Sequence, residues 1–118
     1  MRAINSKKKN VIVYGAGQAG KQLVASLKNN LEFNIIGILD DNEHLSKKVL
    51  LGKKIYSLSN LEKLVTSNNV NMIFLAMPSI SRSRRSQIIK KLNQYQLIVK
   101  TLPSISQIID GRVTVSDI

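Results

Sequence analysis

Apolar segments of strand length alternate along this chain with segments of helical period. Val11 to Tyr14, Asn34 to Leu39, Lys54 to Tyr56, Met72 to Ala76 and Ile98 to Leu102 read as strands, each a short apolar run bounded by polar or turn residues. Ala19, Leu23, Val24 and Leu27 recur at helical spacing from a start near Gln18, as a helix packed on a sheet requires. Ser59 followed by Glu62 has the spacing of a capping box, so a second helix is expected to open there with Leu61, Leu64 and Val65 on its apolar face. A third helix is expected from about Arg82 to Tyr95, burying Ile88, Ile89, Leu92 and Tyr95 and leaving its Arg and Lys residues in solvent. Every strand except the short third reads as buried on both faces. Strands and helices in alternation predict an α/β fold, and right-handed crossovers arrange the strands as an open parallel sheet of order 3-2-1-4-5 with helices on both faces. Residues 1–102 account for this domain. Residues 103–118 fit no further βα unit: a short helix over Ile105 to Ile109, stopped by Asp110-Gly111, precedes an alternating Arg112-Val113-Thr114-Val115. This segment is expected to be a tail or linker toward a neighbouring domain.

The junction of the first strand and first helix carries Gly15-Ala16-Gly17-Gln18-Ala19-Gly20. A strand, a G-x-G-x-x-G turn and an amphipathic helix in succession form the Rossmann arrangement for nucleotides. In it the first glycine permits a tight turn, the second lets the backbone approach a pyrophosphate and the third lets the helix pack against the strand. Free N–H groups at the helix start, with the positive end of its dipole, would hold the phosphates. Asp40 stands twenty residues after Gly20, at the end of the second strand, where a carboxylate can accept hydrogen bonds from ribose hydroxyls. Asp41 beside it would repel a 2′-phosphate, which favours NAD over NADP. The same residues also fit a turn kept for packing alone and an ordinary polar turn at Asp40-Asp41-Asn42. After the fourth strand, Pro78, Ser79, Ser81 and Arg82 bring hydroxyls, helix N–H groups and a cation to the carboxyl edge of the sheet, suited to gripping a phosphate or a sugar nucleotide. In the plainer reading Ser81 only caps the helix and the arginines are solvated. Arg84 and Arg85 read as surface.

Composition narrows the function classes. The chain has 118 residues, enough for one domain and too few for a Rossmann domain with a substrate domain. Its longest apolar run, Met72 to Met77, is far short of the roughly 20 residues that cross a bilayer. The basic start, Met1 to Lys9, leads into a strand with no small-residue cleavage site, so no signal peptide is read. There is no cysteine, which removes disulfides, thiolate ligands and thiol nucleophiles and fits the cytoplasm. The formal charge is +11, and no acid lies between Glu62 and Asp110. The basic residues are scattered pairs and triples with few aromatics and no reading motif, so no nucleic-acid partner is expected. His44 stands alone beside Glu43 and reads as a solvent-loop residue. None of Tyr14, Tyr56 and Tyr95 has a lysine four residues on, so the Tyr-x-x-x-Lys pair of short-chain dehydrogenases is missing. No metal set or other catalytic constellation is read in the chain.

As a set, the Val11 to Gly20 motif, Ile35-Ile36-Gly37-Ile38-Leu39-Asp40-Asp41-Asn42, Met72 to Arg85, Leu102-Pro103-Ser104 and Gly111-Arg112-Val113-Thr114-Val115-Ser116 are similar to a known family. They resemble the CoA-binding-like domain that precedes the catalytic domain in bacterial nucleotide-sugar epimerase/dehydratases of surface polysaccharide biosynthesis. Members include UDP-N-acetylglucosamine 4,6-dehydratases and UDP-quinovosamine 4-dehydrogenases. The resemblance runs from Val11 to Ile118, and its most specific parts are the Leu-Pro-Ser stretch and the Gly-Arg-Val-x-Val-Ser ending. It implies a nucleotide-binding accessory domain whose ligand is NAD, CoA or a UDP-sugar. It also implies a short-chain-dehydrogenase-type catalytic domain as partner and a parent enzyme at the inner face of the membrane; self-association into a homo-oligomer is a further option. Gly15, Gly17, Gly20, Asp40, Pro78, Ser79 and Arg82 are the ligand-facing residues it implies. A weaker resemblance is to the N-terminal domains of sugar acyltransferases, without their β-helix. The contrasting expectation is a structural or assembly domain with a vestigial site and a basic docking surface.

Overall fold

The computed structural model of the chain describes residues 8–101, and the expected tail of residues 103–118 lies outside them. Strands β1 (Lys9–Tyr14), β2 (Phe33–Leu39), β3 (Val49–Leu50), β4 (Lys53–Tyr56), β5 (Met72–Leu75) and β6 (Ile98–Thr101) alternate with helices α1 (Gln18–Leu27), α2 (Leu61–Asn68) and α3 (Arg82–Asn93). The sheet order is β3-β4-β2-β1-β5-β6. All pairings are parallel except β3 with β4. The five expected strands therefore stand in the expected order, and β3 is an addition at the edge. β3 and β4 form a hairpin whose turn residues Leu51 and Gly52 both have positive φ, 50° and 84°. That is the backbone a two-residue hairpin turn needs. A two-residue strand carries no alternation, so no pattern announced it.

Side-chain alternation along the central strands separates two cores. Val11 and Val13 of β1 and Met72 and Phe74 of β5 face α1, where Leu23, Val24 and Leu27 cover them. Ile12, Tyr14, Ile73 and Leu75 face the other way, under Leu61, Leu64 and Val65 of α2 and Ile88 and Leu92 of α3. Phe33 and Phe74 meet edge to face with ring centroids 5.3 Å apart, the geometry that aromatic quadrupoles favour.

Three local expectations are corrected. A 3-10 turn at Leu58–Asn60 precedes α2, whose N-cap is Asn60 without a side-chain cap bond, so Ser59 and Glu62 form no capping box. The Ser59 hydroxyl lies 2.7 Å from the Ser57 hydroxyl instead. β6 is not buried on both faces: it is the sheet edge, and Ile98 is 49% exposed. α3 ends at Asn93 and buries Ile88 and Leu92, while Ile89 and Tyr95 are only partly covered. Among the described residues no helix is long and apolar enough to cross a membrane.

Candidate functional site

At the carboxyl edge of the sheet, between the ends of β1 and β5, the chain leaves an open cleft of about 440 Å³. Gly15, Gly17, Gln18, Ala19 and Asp40 line one side, and Ala76, Met77, Pro78, Ser79 and Ile80 the other. The helix-side wall follows from the glycines. Gly15 has φ +121°, and a Cβ there would stand 2.7 Å from the Ala76 carbonyl oxygen. Its N–H donates to the Leu39 carbonyl at 2.7 Å, and the Ala76 N–H donates to the Tyr14 carbonyl at 2.9 Å, which fixes the turn to both neighbouring strands. A Cβ on Gly20 would lie 1.7 Å from the Gly15 carbonyl oxygen, so the close approach of α1 to the turn depends on its absence. Gly17 differs from both: a Cβ there would meet nothing within 4 Å, and the residue is exposed. It is the N-cap of α1, and no side chain caps the helix. The first N–H groups of α1 therefore have no capping side chain.

Asp40 and Asp41 follow β2 and turn to different partners. Asp40 Oδ2 accepts the Ala16 N–H and its Oδ1 the Asn42 N–H, both at 2.8 Å. It is half-buried in the cleft wall, and it clamps the glycine turn. Asp41 is absent from that wall. Its Oδ1 accepts the Tyr14 hydroxyl at 2.5 Å and its Oδ2 the Arg84 Nη2 at 2.5 Å. Burial pushes the Asp41 carboxyl upward, but the Tyr14 hydroxyl and the Arg84 guanidinium outweigh it and hold the group below its usual range. Burial, then Asp41, pushes the Tyr14 phenol well above its ordinary value, so it stays a neutral donor. The Asp41 carboxylate in turn raises Arg84. Asp41, expected to repel a 2′-phosphate, carries its negative charge in an ion pair with Arg84. Arg84 is exposed, as expected, and pairs with Asp41 outside the cleft wall.

The remaining expected residues divide. Pro78 and Ser79 line the cleft with the glycine turn. Ser81 is the N-cap of α3, its hydroxyl accepting the Arg84 N–H at 3.1 Å, which is the plainer of its two readings. Ser81 and Arg82 are exposed at the start of α3, outside the cleft wall. Ala16 contributes its N–H to Asp40, and Gly20 is buried under the turn. His44 is exposed, and among the described residues no group of His, Cys, Asp and Glu could hold a metal ion. Sequence reading missed Tyr14 and Arg84 as partners of Asp41. They lie 27 and 43 residues from it, beyond any local spacing signal.

The sequence profile of the C2185-like N-terminal family matches residues 7–94. The capsular polysaccharide biosynthesis protein CapD of Staphylococcus aureus is 24% identical over 116 residues, which are 95% of this chain and 19% of that protein. The chain thus spans about a fifth of the length of this curated relative. Among solved structures, UDP-D-quinovosamine 4-dehydrogenase from Vibrio fischeri superposes with a TM-score of 0.79 at 33% identity, covering 92% of this chain and 88% of that one. RSP, a Rex-family repressor, superposes with a TM-score of 0.69 at 19% identity over 93% of this chain and 58% of its own, a likeness of fold. These matches uphold the resemblance to N-terminal domains of nucleotide-sugar dehydratases and dehydrogenases.

Proposed function

Because the chain belongs to the C2185-like N-terminal family, we propose that it is the nucleotide-binding accessory domain of a nucleotide-sugar dehydratase or dehydrogenase of surface polysaccharide biosynthesis, with NAD as its ligand. The observation that carries this reading is the open face of Gly17 at an uncapped helix start, in one cleft with Asp40. The Gly15 to Gly20 turn would hold a pyrophosphate, with the N–H groups of Gln18 and Ala19 as donors, where the α1 dipole also favours an anion. Asp40 keeps acceptor capacity beyond its two backbone bonds, since each carboxylate oxygen has two lone pairs, and would accept from ribose hydroxyls. Pro78 and Ser79 form the opposite wall, with Ser81 and Arg82 at its margin. The chain's own residues would bind and orient, and the hydride chemistry is assigned in this reading to a short-chain-dehydrogenase-type partner domain. Support for a ligand of this class comes from the fold neighbour RSP, solved with beta-NADH, and from perosamine N-acetyltransferase of Caulobacter crescentus, solved with CoA and GDP-perosamine.

Calorimetric titration and thermal shift with NAD, CoA and UDP-N-acetylglucosamine test the proposal. NAD is expected to bind and, at a hundredfold excess over its Kd, to add about 2.7 kcal/mol of stability. Binding by CoA or the UDP-sugar in place of NAD would reassign the ligand. Binding by none of them would leave the assembly-domain reading, with the basic surface as its docking face.

A further inference from the structure

At the amino edge of the sheet, remote from the glycine turn, a second hollow of about 330 Å³ opens between the end of α1, the start of β2 and the hairpin of β3 and β4. Leu27, Phe33 and Ile35, all part of the core under α1, line it. Lys8, Lys28 and Lys53 line it too, and no acid does. The ion pairs among the described residues are Lys9 with Glu32 and Arg84 with Asp41, so these three lysines have no ion-pair partner there. Glu32, the carboxylate beside β2, is already held by Lys9 at 3.6 Å. Two exposed leucines adjoin the hollow. Leu51 lines it and is 43% exposed, and Leu31, between the lining residues Asn29 and Phe33, is 86% exposed.

Leu51 is also conformationally costly. It opens the hairpin turn at φ +50°, with Gly52 after it. Asn-Gly is the pair that such a turn favours, and a left-handed leucine is strained. Asparagine would serve the turn better, whereas leucine sets an apolar side chain beside the lysines.

We propose that this hollow docks an acidic segment of a partner polypeptide. One large apolar side chain of that segment seats on Leu27, Phe33 and Ile35, beside Leu51, and its flanking carboxylates meet Lys8, Lys28 and Lys53. An apolar anchor in a pocket with complementary charge at the rim is the usual anatomy of such a contact. The volume lies at the lower end of the roughly 300–1,000 Å³ of pockets that enclose ligands. A flat lipid surface would leave this concavity unfilled. A second copy of the chain fits poorly, because 18 basic residues against 7 acidic ones give +11 on both sides. The ten residues of α1, about 15 Å at 1.5 Å per residue, separate the hollow from the glycine turn, and the docking site does not rest on the nucleotide reading.

Fluorescence anisotropy on the full chain tests this with the labelled peptide Asp-Glu-Leu-Phe-Glu-Asp. It is expected to bind at least tenfold more tightly than Asp-Glu-Ser-Ser-Glu-Asp, and more weakly as salt rises. Lys28→Glu with Lys53→Glu should lower its affinity at least tenfold, while Lys90→Glu with Lys91→Glu on α3, the same charge change, should leave it within twofold. Leu51→Asn should weaken binding severalfold while its Tm stays equal to or above that of the unmodified chain, which separates docking from folding. Absence of peptide binding, equal binding of the two peptides, an equal loss in the α3 variant, or full affinity in Leu51→Asn would each overturn the proposal. So would sedimentation with vesicles of phosphatidylcholine and phosphatidylserine that Lys28→Glu with Lys53→Glu abolishes, if the peptide does not bind.

Discussion

At the scale of single residues, the three motif glycines look alike in the sequence and are unlike in space. Gly20 sits so close under the Gly15 carbonyl that a Cβ would stand 1.7 Å from its oxygen, whereas Gly17 faces open cleft. Gly20→Ala is therefore expected to cost about 3 kcal/mol or more, because the obstacle is the Gly15 backbone, which cannot swing aside. Gly17→Ala should cost under about 1 kcal/mol in urea unfolding, yet lower NAD affinity about tenfold by obstructing the backbone approach. Equal destabilisation by the two would contradict this division of roles. Asp41 supplies a second prediction at this scale. Its folded pKa lies below the unfolded value of 3.8, so its contribution is fully present above about pH 4 and is lost as pH falls through the folded value. The group is 42% exposed, and solvent screening keeps the effect of the pair within about 1 kcal/mol. Unfolding free energies from pH 7 to 2 should show Asp41→Asn less stable at neutral pH and converging on the unmodified chain in acid.

Among the elements, caps separate what spacing suggests from what geometry makes. Ser59 and Glu62 have capping-box spacing, but the 3-10 turn at Leu58–Asn60 takes up those residues and Asn60 becomes the N-cap of α2. Ser81 has no such box and does cap α3, through the Arg84 N–H. Ser81→Ala should thus cost about 1 kcal/mol, and Ser59→Ala no more than about 0.5 kcal/mol, the range of ordinary surface changes. Chemical denaturation of the two variants makes the comparison, and a larger loss at Ser59 would contradict the observed caps. Strand burial shows the same dependence on context. β6 opens with Ile98 and Val99 like a central strand but continues with Lys100 and Thr101, and as the last in the sheet it has a neighbour on one side only, and Ile98 stays half-exposed. Composition reports that a segment can be buried; its place in the sheet determines whether both faces are.

For the whole molecule, stability rests on two cores separated by one sheet. Phe74 belongs to the core under α1, is fully buried, and packs its ring against Phe33. Phe74→Ala should cost about 3–5 kcal/mol, a large share of the roughly 5–15 kcal/mol of an ordinary domain. A loss below about 1 kcal/mol in urea unfolding would show that the core under α1 is not packed as described. The strand order, α1 and the glycine turn were legible in the amino-acid sequence because period-2 and period-3.6 patterns, and the need for glycine at φ +121°, are properties of a few consecutive residues. Asp40 was legible for a similar reason, its distance from the turn being set by one βαβ unit. The meeting of Tyr14, Asp41 and Arg84, the hairpin edge at β3 and the open face of β6 were decided by tertiary structure alone. Each depends on which distant segments the parallel sheet brings side by side, and a carboxylate acquires its charge balance from neighbours in space, which local spacing does not encode.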